Sequence, residues 1–341
     1  MRDISKTFQR FADVEAKNRS PLYAAWSVYI ANDAALYPIL SQLPLQQPMP
    51  NLFFASVQAM CRQFHFPLQA IFDQPPTNNF EQSYQLLVQT CQRHEALLIP
   101  FFARRVQTNE IQRASYLYPI FSRIAERSNK PLTLIEIGTS AGLLLNVDAL
   151  SIQVAQAQPI TLGPPSPVTL CIRNDGDSIP LMPPFEVHAR FGIDLHCIDL
   201  QDDAQFEWLY CLIWPEQQHR RNLLTSIRTF HASIEKTCVS GDFLTLIPPL
   251  LQQVQTAHTQ VVLFHTHVAN QFPAKLKQTF VEELKQWSHE CPIYHVFNNL
   301  YTSHIEDAIT IEYVYQGHVQ TIQQLAPVDA HGHSLHWHNN W

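Results

Sequence analysis

A chain of 341 residues, 46% of them hydrophobic and 15% charged, has apolar material for a large core and length for two domains. A formal net charge of −7 gives no electrostatic grip on nucleic acid or on anionic lipid. No apolar run approaches the roughly twenty residues of a membrane helix, and the first residues lack the apolar core of a secretion signal, so a cytoplasmic location is expected, with no membrane partner.

In chain order, Ile4, Phe8, Phe11 and Val14 fall at helical spacing, and Ser20 before Pro21 supplies an N-cap and first-turn proline for a second helix carrying Leu22, Trp26, Tyr29 and Ile30. A proline-rich break over 43–50 leads to helical patterns over 52–64 and 80–102. The next run crowds Arg104, Arg105, Gln107, Thr108, Asn109 and Glu110 together, and Thr108 or Asn109 is expected to cap a helix with Ile111, Tyr118, Phe121 and Ile124 on one face and Pro119 inside it. Strand patterns are missing before residue 131, which predicts an all-helical region over 1–130.

At 131–150 the pattern changes to strand, tight turn and helix. Leu132, Leu134, Ile135 and Ile137 form a short apolar run bounded by Pro131 and Gly138. Thr139 or Ser140 is expected to cap a helix continued by Leu143, Leu144, Val147 and Leu150, with the backbone amides of the turn facing a ligand. A dinucleotide turn would need glycine at position 143, which is leucine. The spacing Glu136, Gly138, Gly142 instead resembles the first motif of class I S-adenosylmethionine (SAM) methyltransferases, with Ser140 in the place of the middle glycine.

Beyond it, 159–184 holds seven prolines and reads as a surface excursion. A strand and turn follow over 186–200, then a helix with Phe206, Trp208 and Leu209. Short strands are expected to end near Asp242 and at His265, with a helix over 244–254 between them. Strands over 293–297, 310–315 and 318–325 complete the pattern, the last two as a hairpin about Gln316 and Gly317. Alternation of strand and helix implies βαβ units in a mostly parallel sheet.

Taken together, Arg105-Val-Gln-Thr-Asn-Glu110, Glu136-Ile-Gly-Thr-Ser-Ala-Gly142, Gly192-Ile-Asp194, Trp214-Pro-Glu-Gln217, Gly241-Asp242, Phe264-His265 and Asp329-Ala-His-Gly332 resemble the bacterial DUF2332 family over nearly the whole chain. The resemblance implies an α/β, class I SAM methyltransferase-like (Rossmann-like) domain over 131–341, behind the helical region. It brings no established reaction.

Ligands of open α/β sheets sit beyond the carboxyl ends of the strands, where Glu136, Asp194, Asp242 and His265 are expected. Glu136, Gly138, Ser140, Gly142, Asp194 and Asp242 are therefore the candidate cofactor residues, for SAM. His265 and His267 are candidate acid–base residues. Arg105, Gln107, Asn109 and Glu110 are expected as a polar wall over the cleft. The leading function is a SAM-dependent methyltransferase acting on a small molecule. The alternatives are a silent SAM- or nucleotide-binding module, or a metal-dependent enzyme using the tail histidines. For those, over 331–338, the alternation of Leu335 and Trp337 with His336 and His338 predicts a half-buried final strand and no metal site.

Overall fold

The computed structural model describes residues 3–107, 110–254, 258–301 and 308–340, and the chain divides into two compact units, residues 1–108 with 200–225, and 109–199 with 226–341. The division lies before helix Ala114–Ser128 rather than at the expected residue 130, because that helix packs within the second unit, its Phe121 ring 5.2 Å from Phe264 of the sheet.

The first unit holds helices and turns and, among the described residues, no strand. Helix Ile4–Arg10 runs on through a π-helical turn, Phe11–Ala16, and helix Pro21–Asn32 begins where Ser20 accepts a hydrogen bond from the Tyr23 amide. Helix Met49–Phe64 starts within the proline-rich break, and the long helix expected over 80–102 ends at Arg93, giving way to a short helix Glu95–Leu98 and a 3-10 turn Ile99–Ala103. Phe8, Phe11, Tyr23, Trp26, Phe53 and Phe54 interlock in the core, with Tyr23 stacked on Phe54 at 4.2 Å. Burial of these rings together with the aliphatic side chains around them stabilises the unit.

The strands all lie in the second unit: β1 Leu132–Ile137, β2 Ser151–Ala155, β3 Ile160–Leu162, β4 Thr169–Asn174, β5 Val187–Asp194, β6 Thr237–Ser240, β7 Gln260–His265, β8 Ile293–Phe297, β9 Ile309–Tyr315, β10 His318–Leu325 and β11 Ser334–Leu335. Seven of them form a mixed, mostly parallel sheet of order β10-β9-β8-β7-β1-β5-β6. Counted along the chain, its five parallel strands stand in the order 3-2-1-4-5, the Rossmann arrangement, whose switch point falls between β1 and β7. β9 and β10 are antiparallel and turn at Gln316 and Gly317, both at positive φ, as a tight hairpin requires.

Two expectations fail between β1 and β5. The helix expected after the glycine turn is only a 3-10 turn, Leu144–Ala149, after which Ile152 and Val154 alternate with outward residues as a strand. The supposed surface excursion supplies β3 and β4 to a second sheet of order β11-β4-β2-β3. Buried Leu170, Ile172 and Asn174 alternate with exposed neighbours along β4, a period-2 pattern hidden among the prolines. The tail is a strand only at Ser334–Leu335, although Trp337 beyond it is fully buried and its amide donates to Asn174 Oδ1.

Candidate functional site

Glu136 lies at the carboxyl end of β1, beside the switch point. The turn after it is held by its own amides. Those of Gly138 and Thr139 donate to the Ile193 carbonyl, that of Ser140 donates to Asp194 Oδ2 at 2.9 Å, and that of Gly142 donates to the Thr139 carbonyl. Gly138, Ser140 and Gly142 all have positive φ, so the turn depends on residues that tolerate left-handed backbone. A Cβ at Gly138 would stand 2.7 Å from Val268 Cβ, and one at Gly142 would stand 3.0 Å from Cys238 Sγ. The glycines thus admit neighbouring side chains of the protein, and these amides do not face a ligand as expected.

Asp194, at the end of β5, accepts from the Ser140 and His196 amides with its two oxygens and so fixes the turn. Asp242 caps helix Phe243–Gln253, where Oδ1 accepts from the Leu244 amide at 3.0 Å, and it is exposed.

Side chains alternate along a strand, and this separates residues that sit together in sequence. Ile135 and Ile137 face the core shared with Phe243 and Phe280, whereas Glu136 faces the side of helix Ala114–Ser128. His265 follows Phe264, the register partner of Glu136, and therefore points to the opposite face. There it is fully buried among Phe272, Phe280, His295 and Phe297, with neither ring nitrogen hydrogen-bonded. Burial holds its imidazole well below the ordinary pKa, hence neutral. This placement puts His265 on the face of the sheet opposite Glu136.

His267 sits at φ +63, its amide donating to Asn298 Oδ1 at 2.7 Å and its ring nitrogens 3.1 Å from Asn298 Nδ2 and 3.4 Å from Asn299 Nδ2. Burial, reinforced by neighbouring Arg113 and His331, lowers its pKa to about 3. An imidazole that resists protonation so strongly positions the strand end and is a poor base.

Around Glu136 the fold assembles a polar group that the sequence does not show as a unit. Glu136 is 3% exposed, and its Oε2 accepts from Thr139 Oγ1 at 2.6 Å. Desolvation raises its pKa to about 8, with Asp194 adding to the shift and the Thr139 bond and Arg113 opposing it. The carboxyl is consequently uncharged at neutral pH. Arg113, just before helix Ala114–Ser128, donates from Nε to the Ala330 carbonyl at 2.9 Å and from Nη1 to Thr266 Oγ1 at 3.2 Å. Glu110, 4% exposed, stands 3.3 Å from His331 Nδ1.

The tail loop that carries His331 is pinned to the start of this helix. Ser115 Oγ donates to the Gly332 carbonyl at 2.8 Å, and Asp329 Oδ2 accepts from the amides of His331 and His333. Gly332, at φ +88, lies so close to the Gln112 carbonyl that any Cβ would collide with it.

Of the predicted polar wall, Glu110 belongs to this group. Arg105 and Gln107 are in the first unit, where the Arg105 carbonyl accepts from Trp208 Nε1 at 2.8 Å and the Arg105 side chain is exposed. Asn109 and the expected cap Thr108 lie outside the described residues. The sequence pattern singles out none of Arg113, Tyr116 and Thr266, and it marks Thr139 only as a cap and His331 only among the tail histidines, as a polar strand edge or, in the alternative, metal ligands. The one signal for the tail is the Asp329-Ala-His-Gly332 motif, whose aspartate and glycine form the loop that presents His331.

Among the described residues no group of three or more His, Cys, Asp or Glu side chains is arranged to hold a metal ion, and no helix is long and apolar enough to cross a membrane. No curated protein matches the chain. The family model described as an uncharacterised protein conserved in bacteria (DUF2332) matches residues 5–337, and the chain belongs to that family.

Proposed function

We propose that the second unit is a SAM-dependent methyltransferase-like domain acting on a small molecule at the carboxyl edge of its large sheet, on the face that carries Glu136. The observation that carries this reading is the strand order 3-2-1-4-5 with an acidic residue, Glu136, Asp194 and Asp242, at or just beyond the carboxyl end of each of the first three strands. Of the three, Asp242 is the exposed carboxylate able to accept hydrogen bonds from ribose hydroxyls or from an adenine amine, since Glu136 is uncharged and Asp194 holds the turn amides.

Among the candidate cofactor residues, the one that supports the reading is Asp242, which is exposed and has its second carboxylate oxygen beyond the cap bond. At the glycine turn the amides of Gly138, Thr139, Ser140 and Gly142 are spent inside the protein, so Gly138, Ser140 and Gly142 shape the site by bringing Glu136 and Asp194 to the edge. When bound, SAM supplies an electrophilic methyl group for an in-line displacement, in which positioning accounts for much of the rate.

The chain's own contribution is proton handling. The buried Glu110 carboxylate orients His331 through Nδ1, which leaves Nε2 to take a proton from an acceptor hydroxyl, amine or acid. The neutral Glu136 carboxyl donates a hydrogen bond without adding charge.

Calorimetric titration of the full chain with SAM and with S-adenosylhomocysteine tests this reading. Saturable binding that Asp242→Asn weakens at least about tenfold, at nearly unchanged melting temperature, supports it. Absence of binding to either compound refutes it. The Glu110–His331 pair is tested separately by the pH profile of turnover, which His331→Asn should flatten.

A further inference from the structure

Two buried donors near the Glu110–His331 pair, Arg113 and Tyr116, take no part in proton handling. Arg113 is 7% exposed, yet the acceptors around it, the Ala330 carbonyl and the Thr266 carbonyl and hydroxyl, are all neutral. Among the described residues its guanidinium makes no salt bridge. The acids within electrostatic reach are otherwise engaged: Asp329 Oδ2 by two amides, Glu110 by His331, and Glu136 kept neutral by burial. A buried cation without a direct counter-charge is costly unless something pairs with it.

One helical turn further on, Tyr116 is fully buried, and its hydroxyl has no hydrogen-bond partner. Beyond desolvation, the charges that act on this phenol are those of Arg113, Glu110, Asp329 and Glu136, so it lies within electrostatic reach of the same group.

We propose that Arg113 and Tyr116 anchor the carboxylate of a small organic acid at the Glu136 edge of the sheet. The guanidinium supplies the charge, and the phenol and the protonated Glu136 supply hydrogen bonds. One guanidinium and two neutral donors match a singly charged planar group better than a phosphate of charge near −2, since His267 stays neutral and adds no second cation. The anchor lies beside His331, so an acid held there is within the reach of the Glu110–His331 pair. The inference rests on the reading of this edge as the ligand site, and the carboxylate held there is the acceptor's own.

The test uses the full chain, its Arg113→Gln variant and its Tyr116→Phe variant. Each is titrated at constant ionic strength with succinate, citrate, glutamate and methionine, with succinamide as the uncharged control, and separately with S-adenosylhomocysteine. At least one acid should bind the parent chain and raise its melting temperature. Affinity should fall more than about tenfold in Arg113→Gln and several-fold in Tyr116→Phe. Tyr116→Phe alone should melt about 2–4 °C higher, because an unpartnered buried hydroxyl is removed.

No binding by any of the acids, equal binding by Arg113→Gln, or a lower melting temperature in Tyr116→Phe would overturn the anchor. S-adenosylhomocysteine binding without acid binding sinks the anchor and leaves the methyltransferase reading. Acid binding without S-adenosylhomocysteine binding does the reverse.

Discussion

Replacing Glu136 by glutamine should make the protein more stable in alkali while changing little in mild acid. Burial raises the carboxyl from its ordinary pKa of 4.5 to about 8, so the folded state holds the proton more tightly than the unfolded one between those values. Stability from this group is therefore fully present below pH 4.5 and is lost as pH rises through 8. Each tenfold gain in proton affinity is worth about 1.4 kcal/mol, so the loss is on the order of 5 kcal/mol, or on the order of 10 °C in melting temperature for a unit of this size. Glutamine is neutral at every pH and keeps an acceptor for the Thr139 hydroxyl. Buried histidines also change stability with pH, in the opposite sense, since folding lowers the pKa of His267 to about 3 and of His231 to about 4. The informative quantity is consequently the difference between parent and variant. Circular-dichroism melts at pH 5, 7 and 9 should show near-identical stability at pH 5 and a variant several kcal/mol more stable at pH 9. Parallel curves across that range would refute the claim that Glu136 is held uncharged.

Gly332→Ala should cost about 1–3 kcal/mol and speed amide exchange over 329–333, because the added carbon meets the Gln112 backbone at a positive φ. Unchanged exchange would show that the tail loop is not pinned there. His265→Phe should leave S-adenosylhomocysteine affinity unchanged and raise stability by about 1 kcal/mol, since two unpartnered ring nitrogens leave an aromatic pocket; a tenfold loss of affinity would return His265 to the site. Purified protein should carry no stoichiometric zinc, nickel or iron, and one metal per chain, lost in His331→Ala, would contradict the assignment of His331 as a base.

The large sheet was legible because its strands announce themselves. Runs such as Val261, Val262, Leu263 and Phe264 are apolar without interruption, as strands covered on both faces must be, and Gly138 and Gly317 mark turns that few other residues allow. The second sheet was obscured, since β3 and β4 lie among prolines that read as loop, and Leu143 to Leu150 has helical spacing although Leu144–Ala149 makes only a 3-10 turn before β2. The candidate site was half legible for a different reason. Positions at strand ends, Glu136, Asp194 and Asp242, follow from topology. Which face a side chain takes depends on register, and that separates His265 from Glu136 although both close adjacent strands. Arg113, Tyr116 and His331 come together only because the tail folds back on the start of helix Ala114–Ser128, a contact between residues more than 200 apart that no local pattern encodes.

The central claim, that ligands sit at the carboxyl edge of the large sheet on the Glu136 side, is tested most directly by amide hydrogen exchange of the full chain with and without saturating S-adenosylhomocysteine. The account predicts slowed exchange at the strand ends over 136–142, 194–198 and 240–244, together with 110–116 and 329–333 around the Glu110–His331 pair. No change in those segments, or protection confined to the first unit, would contradict it.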